Sequence, residues 1–356
     1  MDYQISPDDR AQFKRCRRQW DFASPHRRGL EPVQASESFA LVTAFRDALA
    51  VYYYPGTWDW QHELKQSLVH KAMRRSLEDA GCADELDRAT SLIDLYDAWA
   101  VTVDDFAPVK IQHDVTALLR DPSDPDNGLL TSDGAAVTYA CRVDLLAVDA
   151  TDEYWVVRHQ IVDEWRAVEE MVLDEEATAA CWAWEQDYIG MEIAGTVHNE
   201  VRLGEPQVPR VDASAAMGKA EPVAQHEASG GGRSIPQHVR RAARESRAAA
   251  DRVEQLTAGM VRHTWIRRSR DEIAAAGSLI ATEAIEMTAA PVIYPSPGPH
   301  CLACQFRAPC LLMFEGADPR PQLALDFRRR SGAGEHKPRL GQATWGFGRG
   351  AAPPDW

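Results

Sequence analysis

The chain has 356 residues, of which 45% are hydrophobic and 26% are charged. These values are ordinary for globular proteins, and the length suits one large domain or two smaller ones. No run approaches about eighteen uncharged apolar residues, and the start "MDYQISPDDRAQFKRC" has no apolar signal core, which predicts a soluble cytoplasmic protein without a membrane partner. The net charge of −15 argues against a surface uniformly suited to nucleic acid.

The charges are unevenly distributed along the chain. Basic residues cluster in "FKRCRRQW", "PHRR", "HVRRAARESR", "VRHTWIRRSR" and "FRRR", whereas acidic residues concentrate between residues 78 and 190. This asymmetry allows a basic face on an acidic protein. Ordinary solvated helix faces would explain any single cluster equally well.

Helices are predicted first, and the pattern then changes to strands. An apolar stripe at helical spacing runs through "SFALVTAFRDALAVYYY", and residues 61–102 are again helical in pattern. The segment "AAVTYACRVDLLAVDATDEYWVVRHQIVDEW" is rich in β-branched and aromatic residues, which predicts a two-stranded hairpin. A helix is predicted over "DEEATAACWAWEQDYIG" and a strand over "GTVHNEVRL". These elements together predict an α/β fold.

The carboxyl-terminal third is predicted to contain an insertion, two helices and a tail. Residues 204–236 are poor in large apolar side chains and rich in Gly, Pro, Ala and Ser, which predicts a flexible insertion. Helices are predicted at 237–258 and 264–289. Residues 319–356 are predicted to form a mobile tail with a few aromatic anchors.

Three cysteines stand at C-x2-C-x5-C spacing in "CLACQFRAPC", residues 301–310, after a proline-broken loop. A metal or cluster held by Cys301, Cys304 and Cys310 needs a fourth ligand. In a cytosolic chain, cysteines serve as ligands or buried thiols more often than as disulfides. The candidates for the fourth ligand are Cys16, Cys82, Cys141, Cys181 and His300.

Cys16 is the best of these candidates. It lies in "FKRCRRQWDF", where the flanking cations stabilise a negatively charged sulfur or cluster. Cys141 and Cys181 fall in a predicted strand and an apolar helix, so they are interpreted as buried thiols. Cys82 follows a glycine in a loop at the end of a helix and carries little weight.

The pattern resembles the iron–sulfur branch of the PD-(D/E)XK nuclease superfamily, which includes RecB- and AddB-type nuclease domains and CRISPR-associated exonucleases. The resemblance runs from "ISPDDRAQFKRCRRQWDF" through "CRVDLLAVDATDEYWVVRHQIV" and "EEATAACWAWEQ" to "CLACQFRAPC", most of residues 5–316. It implies one domain over 1–318, with a restriction-endonuclease-like core (a mixed central sheet flanked by helices) and a carboxyl-terminal helical and iron–sulfur region. It also implies a [4Fe–4S] cluster on Cys16, Cys301, Cys304 and Cys310, with a structural zinc as the alternative.

The resemblance implies a catalytic site that this chain does not reproduce. In the family, an Asp ends the first strand of the hairpin, and an acid-x-Lys on the second strand completes a Mg²⁺ or Mn²⁺ site. Asp144 matches the first position, whereas Arg158 and Gln160 fill the acidic and lysine positions. A cation at a metal-ligand position changes the local charge by two units. Arg158 is therefore expected to pair with Asp144, and Mg²⁺ or Mn²⁺ binding at Asp144 is not expected.

Other matched positions also depart from the family pattern. The upstream histidine falls on Arg46, and the Gln-x3-Tyr of the following helix falls on Thr178 and Trp182. Asp114 is a loose match to an earlier acidic residue, and a simple ion pair of Asp144 with Arg142 or Arg158 is the alternative to any catalytic role. Joint loss of these positions predicts an inactive site.

The predicted function is DNA binding, or service as a subunit of a DNA-processing, repair or defence complex, without cleavage. An active metal-dependent nuclease with ligands relocated to Asp163 and Glu164 is one alternative, and a cluster-based redox or assembly factor without nucleic acid is another. The predicted DNA-binding residues are Arg17, Arg18, Arg240, Arg241 and Arg267. These arginines could instead pair with neighbouring acids or dock an acidic protein partner.

Overall fold

The computed structural model describes residues 2–33, 37–57, 60–103, 106–203, 259–289 and 291–330. The predicted insertion at 204–236 and the predicted helix at 237–258 lie outside these ranges. Within them, the chain is an α/β protein with a mixed central sheet flanked by helices. No helix of the described ranges is both long and apolar enough to cross a membrane.

The strands of the described ranges are β1 (Tyr3–Ile5), β2 (Leu30–Pro32), β3 (Phe106–Leu118), β4 (Arg120–Asp121), β5 (Asp124–Gly128), β6 (Val137–Asp149), β7 (Tyr154–Val162), β8 (Ile193–Arg202), β9 (Val261–Arg267) and β10 (Phe327–Arg329). The helices of the same ranges are α1 (Pro7–Arg15), α2 (Arg17–Ala23), α3 (Glu37–Tyr52), α4 (His62–Ala80), α5 (Leu86–Val103), α6 (Val168–Val172), α7 (Glu175–Asp187), α8 (Arg270–Thr288), α9 (Arg307–Phe314) and α10 (Arg320–Asp326).

The central sheet has the order β1-β6-β7-β8-β9, with β3 also paired to β6. The pairs β6–β7 and β8–β9 are antiparallel, whereas β7–β8 and β1–β6 are parallel. The predicted hairpin of β6 and β7, the helix α7 and the strand β8 are thereby confirmed. Strand β3 was not predicted from the sequence, although it forms the longest pairing with β6.

Two hydrophobic clusters cover the two faces of the sheet. Helices α3, α4 and α5 pack on one face around residues such as Phe45, Tyr96 and Val157. Helices α7 and α8 pack on the other face, together with Trp20 and Tyr139. Burying a large apolar side chain contributes about 1.5–3 kcal/mol, so both helical layers stabilise the sheet.

The predicted helix at 264–289 was wrong at its start, because Val261–Arg267 forms β9. This segment is rich in β-branched and aromatic side chains, and it pairs antiparallel with β8 from Val201 to Gly195. Helix α8 begins only at Arg270, after a capping box in which Ser269 and Glu272 each accept a hydrogen bond from the other's backbone N–H.

The predicted mobile tail was wrong for residues 320–329. Helix α10 is followed by β10, which pairs antiparallel with β2. Leu323 and Phe327 are buried in a third cluster, where the ring of Phe306 stacks on Phe327 at 4.7 Å and on Phe22 at 5.1 Å. Burial of these side chains fixes the segment, while residues 331–356 lie outside the described ranges.

Candidate cysteine cavity and sheet site

Four cysteines that are distant in sequence line one cavity of about 420 Å³. Cys16 comes from the junction of α1 and α2, Cys301 and Cys304 from the turn before α9, and Cys310 from α9 itself. We call this space the cysteine cavity. The remaining lining is mainly apolar and aromatic, with Phe22, Leu302, Phe306, Leu311 and Phe314 among its members.

The backbone around Cys16 directs this residue into the cavity wall. Helix α1 ends at Arg15 because Cys16 is extended, with φ −161° and ψ 111°, and α2 starts one residue later. Phe13 and Trp20 pack edge to face at 5.0 Å across this break. Cys16 is only 8% exposed, and its Sγ accepts a hydrogen bond from the backbone N–H of Ser296 at 3.5 Å.

Further donors surround the other sulfurs. The Nη1 of Arg18 donates to the Sγ of Cys310 at 3.4 Å. Burial is the main reason that the pKa of the Cys304 thiol is raised, and a backbone hydrogen bond from Phe306 opposes this shift. The thiols of Cys16, Cys301 and Cys310 raise the same pKa further. The thiols of Cys16, Cys301 and Cys310 are therefore close enough to Cys304 to act on it electrostatically.

The donor set of the cysteine cavity fits a group held by thiolates. Four sulfurs, N–H donors around them and an apolar surround suit an iron–sulfur cluster, and four sulfurs also suit a structural zinc. Among the described residues, no group of three or more His, Cys, Asp or Glu side chains is arranged to hold a metal ion, so the fit lies in the chemistry of the four ligands and not in a preformed metal geometry. His300 also lines the cavity, and its Nε2 is buried without a hydrogen-bond partner in the described ranges.

The other cysteines are separate from the cysteine cavity. Cys141 lies in β6 and Cys181 in α7, and burial raises the pKa of each thiol to about 12. Cys82 is 7% exposed and packs in the cluster beneath α3–α5. All three are buried in hydrophobic clusters, so they have the environment of neutral structural thiols.

A second, much smaller cavity of about 50 Å³ lies beside the central sheet. Of the residues that the resemblance assigns to catalytic positions, Arg46, Asp144 and Arg158 line it, together with Arg142 and Glu176. We call this cavity with its lining residues the sheet site. Gln160, Thr178 and Trp182 do not line it.

Asp144 lies beside a strained residue of the neighbouring strand. Ile111 pairs with Leu145 and His113 with Val143, which leaves Gln112 and Asp144 between the two pairs. Gln112 has φ +39°, a conformation that is strained for a non-glycine residue. Val143 packs into the cluster under α7, whereas Leu145 packs into the cluster under α3. Residues two apart normally face the same side of a strand, so the side chains of β6 change sides of the sheet at Asp144.

The predicted pair between Arg158 and Asp144 was wrong. Oδ2 of Asp144 accepts the backbone N–H of His159 at 3.0 Å and lies 3.6 Å from Nε of Arg46. Arg158 instead binds Asp174 and Glu176, each at 2.8 Å. Asp174 caps the amino terminus of α7 through the N–H of Ala177, and its carboxylate also reaches Arg158 in the middle of β7.

Arg158 is a permanent cation within the sheet site. Burial opposes its charge, but the carboxylates of Glu176, Asp174 and Asp144 outweigh burial and raise its pKa. The alternative pair of Asp144 with Arg142 is also not formed, because Arg142 binds both oxygens of Asp114, at 2.6 and 2.7 Å.

The other residues that the resemblance assigns to catalytic positions make hydrogen bonds or packing contacts outside the sheet site. Oε1 of Gln160 accepts from Arg166 at 3.0 Å, and the hydroxyl of Thr178 donates to the carbonyl oxygen of Asp174 at 3.1 Å. Trp182 packs against Gly277 of α8 so closely that a Cβ at 277 would lie 2.3 Å from the indole Nε1. Of these contacts, the packing of Trp182 on Gly277 holds α7 against α8.

Two of the predicted DNA-binding arginines are paired with acids. Arg17 binds Glu286 at 2.8 Å and stacks on the ring of Phe13 at 3.7 Å. Arg267, expected on a helix, lies in β9 and binds Glu153 at 2.8 Å. Arg18 contacts Cys310, and Arg240 and Arg241 lie outside the described residues.

The proposed relocated ligands, Asp163 and Glu164, are exposed and do not line the sheet site. Asp174 and Glu176 were not predicted as site residues, although the segment "DEEA" carries an N-cap signal that places Asp174 at the start of α7. Arg18 was predicted as a DNA contact, and no signal in the sequence indicated its bond to a sulfur.

No protein-family model matches the chain, and no curated protein matches its sequence.

Proposed function

We propose that this chain is a non-cleaving protein with a restriction-endonuclease-like core, serving as a subunit of a DNA-processing complex. In this proposal Cys16, Cys301, Cys304 and Cys310 hold a [4Fe–4S] cluster. The observation that carries the proposal is the ion-paired guanidinium of Arg158, which stands in the position that the resemblance assigns to a metal-binding acid.

Electrostatics disfavour a divalent ion at the sheet site. Two unit charges about 4 Å apart interact with about 4 kcal/mol at an effective dielectric of 20, and a divalent ion doubles this value. Arg46 and Arg158 both line the same small cavity as Asp144. Mg²⁺ placed there would meet three arginines, because Arg142 also lines the cavity. Both carboxylates are already engaged, Asp144 by the backbone N–H of His159 and Glu176 by Arg158.

The position assigned to the lysine also lacks the group that the chemistry needs. Gln160 carries no charge, and its amide oxygen is engaged by Arg166. An amide neither accepts a proton at neutral pH nor supplies a positive charge to orient an attacking water. Hydrolysis therefore lacks both its metal and its activating group in this chain.

The cysteine cavity supports a structural role for the cluster. Cys16 and Cys310 are 294 residues apart in sequence, and both line the same cavity. A cluster bound by these four thiolates supplies a covalent cross-link between the two ends of the domain, which stabilises the fold most when the enclosed loop is long.

The acid pairs of the surface arginines favour a subunit role over independent DNA binding. Glu286 and Glu153 neutralise Arg17 and Arg267, so these side chains contribute less to phosphate binding than free cations would. In the proposed complex, a partner chain supplies the cleavage or motor activity, and this chain supplies a docking surface.

Anaerobic purification followed by metal analysis and a nuclease assay tests the proposal. About four irons per chain and intact single- and double-stranded DNA in Mg²⁺ or Mn²⁺ are the expected results. Stoichiometric zinc without iron would overturn the cluster. Divalent-dependent cutting that disappears in Asp144→Ala would overturn the non-cleaving role and restore an active nuclease.

A further inference from the structure

Arg18 makes a contact that distinguishes it from the other arginines around Cys16. Its guanidinium lines the cysteine cavity and donates from Nη1 to the Sγ of Cys310 at 3.4 Å. Within the described residues, Arg18 forms no ion pair with a carboxylate, whereas Arg17 binds Glu286. On a chain with 54 acidic and 39 basic residues, the positive charge of this side chain is directed to a sulfur.

The position of Arg18 is fixed at both ends of the residue. Its backbone N–H donates to the carbonyl oxygen of Tyr294 at 3.1 Å, which ties α2 to the loop preceding the cysteine turn. Its guanidinium carbon lies 5.3 Å from the ring centroid of Phe314, one turn beyond Cys310 in α9. The aromatic face and the sulfur therefore hold the cation at one side of the cavity.

A cation beside a sulfur ligand stabilises negative charge on that sulfur. Hydrogen bonds to sulfur and nearby positive charge stabilise electron-rich sulfur, and both raise the reduction potential of an iron–sulfur cluster. The effect is larger in an apolar surround, because the charge is less screened by water. Phe22, Phe306 and Phe314 provide such a surround here.

We propose that Arg18 is a positioning residue that stabilises the anionic sulfur of Cys310 and so raises the reduction potential of the cluster. This inference rests on the proposed function, since it assigns a role toward the cluster that Cys16 and the three distal cysteines would hold. It makes Arg18 part of the cysteine site and removes it from the predicted DNA contacts.

The test compares Arg18→Gln with Arg18→Lys and with Arg15→Gln as the matched control. Arg15 is exposed, flanks Cys16 and does not line the cavity, so its replacement removes the same charge without touching a sulfur. The reduction potential is measured by an anaerobic electrochemical titration followed by absorption, on samples matched for iron content. Far-UV circular dichroism checks that each variant is folded.

We expect Arg18→Gln to disfavour the one-electron reduction on the order of tenfold, which corresponds to about 59 mV toward more negative potential. Arg18→Lys retains the charge but lacks the planar fork, so an intermediate shift is expected, with none in Arg15→Gln. If the wild-type chain holds four irons and Arg18→Gln leaves the potential unchanged, the inference is wrong while the proposed cluster stands.

A second measurement tests the effect of Arg18 on the cysteine sulfurs without requiring an iron–sulfur cluster. If the wild-type chain contains no iron, the proposed cluster fails, and Co²⁺ is titrated into the reduced, metal-free protein as a probe of the sulfur set. About tenfold weaker Co²⁺ binding in Arg18→Gln than in Arg15→Gln would support stabilisation of the sulfur by Arg18. Equal binding in the two variants, or no Co²⁺ binding at all, would overturn it.

Discussion

The contacts of the cysteine cavity were easier to predict from the sequence than those of the sheet site. The four cysteines predicted to act together line one cavity. At the sheet site, three of the six residues assigned by the resemblance line the cavity, and the expected Arg158–Asp144 pair is replaced by other pairs. Cysteine is rare and serves few purposes when clustered, whereas an arginine can pair with any nearby carboxylate. Residue type therefore predicts which cysteines lie together more reliably than it predicts which carboxylate an arginine binds.

The largest effect is expected at the cysteine cavity. Cys16→Ser should remove nearly all of the bound iron and lower the solubility of the protein, because the ligand from the amino-terminal end of the domain is lost. Metal analysis of the anaerobic protein measures the change. Cys82→Ser is the matched control, since Cys82 is buried outside the cavity. Equal iron in both variants would contradict the assignment of Cys16.

Acid should weaken the sheet before it affects the carboxylate pairs. Burial lowers the pKa of His159 and His198 to about 4 and of His263 to about 3. Below about pH 6.5 the unfolded chain binds protons that the folded chain does not, so the free energy of unfolding falls as the pH falls toward 4. Each histidine contributes up to about 1.4 kcal/mol per pH unit, or several kcal/mol together.

Urea unfolding at pH 7, 6 and 5 measures this dependence. His70→Asn is the control for the slope, because His70 lies on α4 beside Asp94 and is not among the buried histidines. His159→Asn should reduce the slope between pH 6.5 and 5. A free energy of unfolding that is constant from pH 7 to pH 5 would contradict the three lowered pKa values.

Removing the buried cation of the sheet site should also destabilise the protein. Arg158→Ala leaves Asp174, whose side chain is 10% exposed, with Arg166 at 3.1 Å as its remaining cation. Breaking a buried pair costs about 3–5 kcal/mol of unfolding free energy when the charge is left uncompensated, so a loss of about 2–3 kcal/mol is expected. Arg142→Ala is the control, since its partner Asp114 is 45% exposed and such pairs contribute about 0–1 kcal/mol. Similar losses in the two variants, measured by urea unfolding, would refute a structural role for Arg158.

The smallest effect is expected at the predicted DNA contacts. Arg267→Gln breaks an exposed pair with Glu153, so the free energy of unfolding should change by about 1 kcal/mol or less. DNA affinity should stay the same in a fluorescence titration at low salt. A fall in affinity, with a log–log salt slope reduced by about 0.9, would instead identify Arg267 as a phosphate contact.

The sequence predicted the elements whose signal is local. The β6–β7 hairpin and α7 have strong periodic patterns, and the structure confirms them. Strand β9 was predicted as helix because "RRSRDEIAAAG" extends a helical pattern backwards, whereas pairing with β8 is a tertiary effect. The capping box of Ser269 and Glu272 carried the signal for the true helix start. The partner of Arg158 depends on how α7 docks on the sheet, which spacing along the chain does not encode.

The contact between Trp182 and Gly277 bears on the evolutionary history of the chain. Any side chain at 277 would collide with the indole, so position 277 accepts larger residues only after position 182 has become smaller. Trp182→Ala would leave an unfilled space, at a cost of about 3–5 kcal/mol. A change at either position alone therefore destabilises the protein, so packing couples the identities of residues 182 and 277.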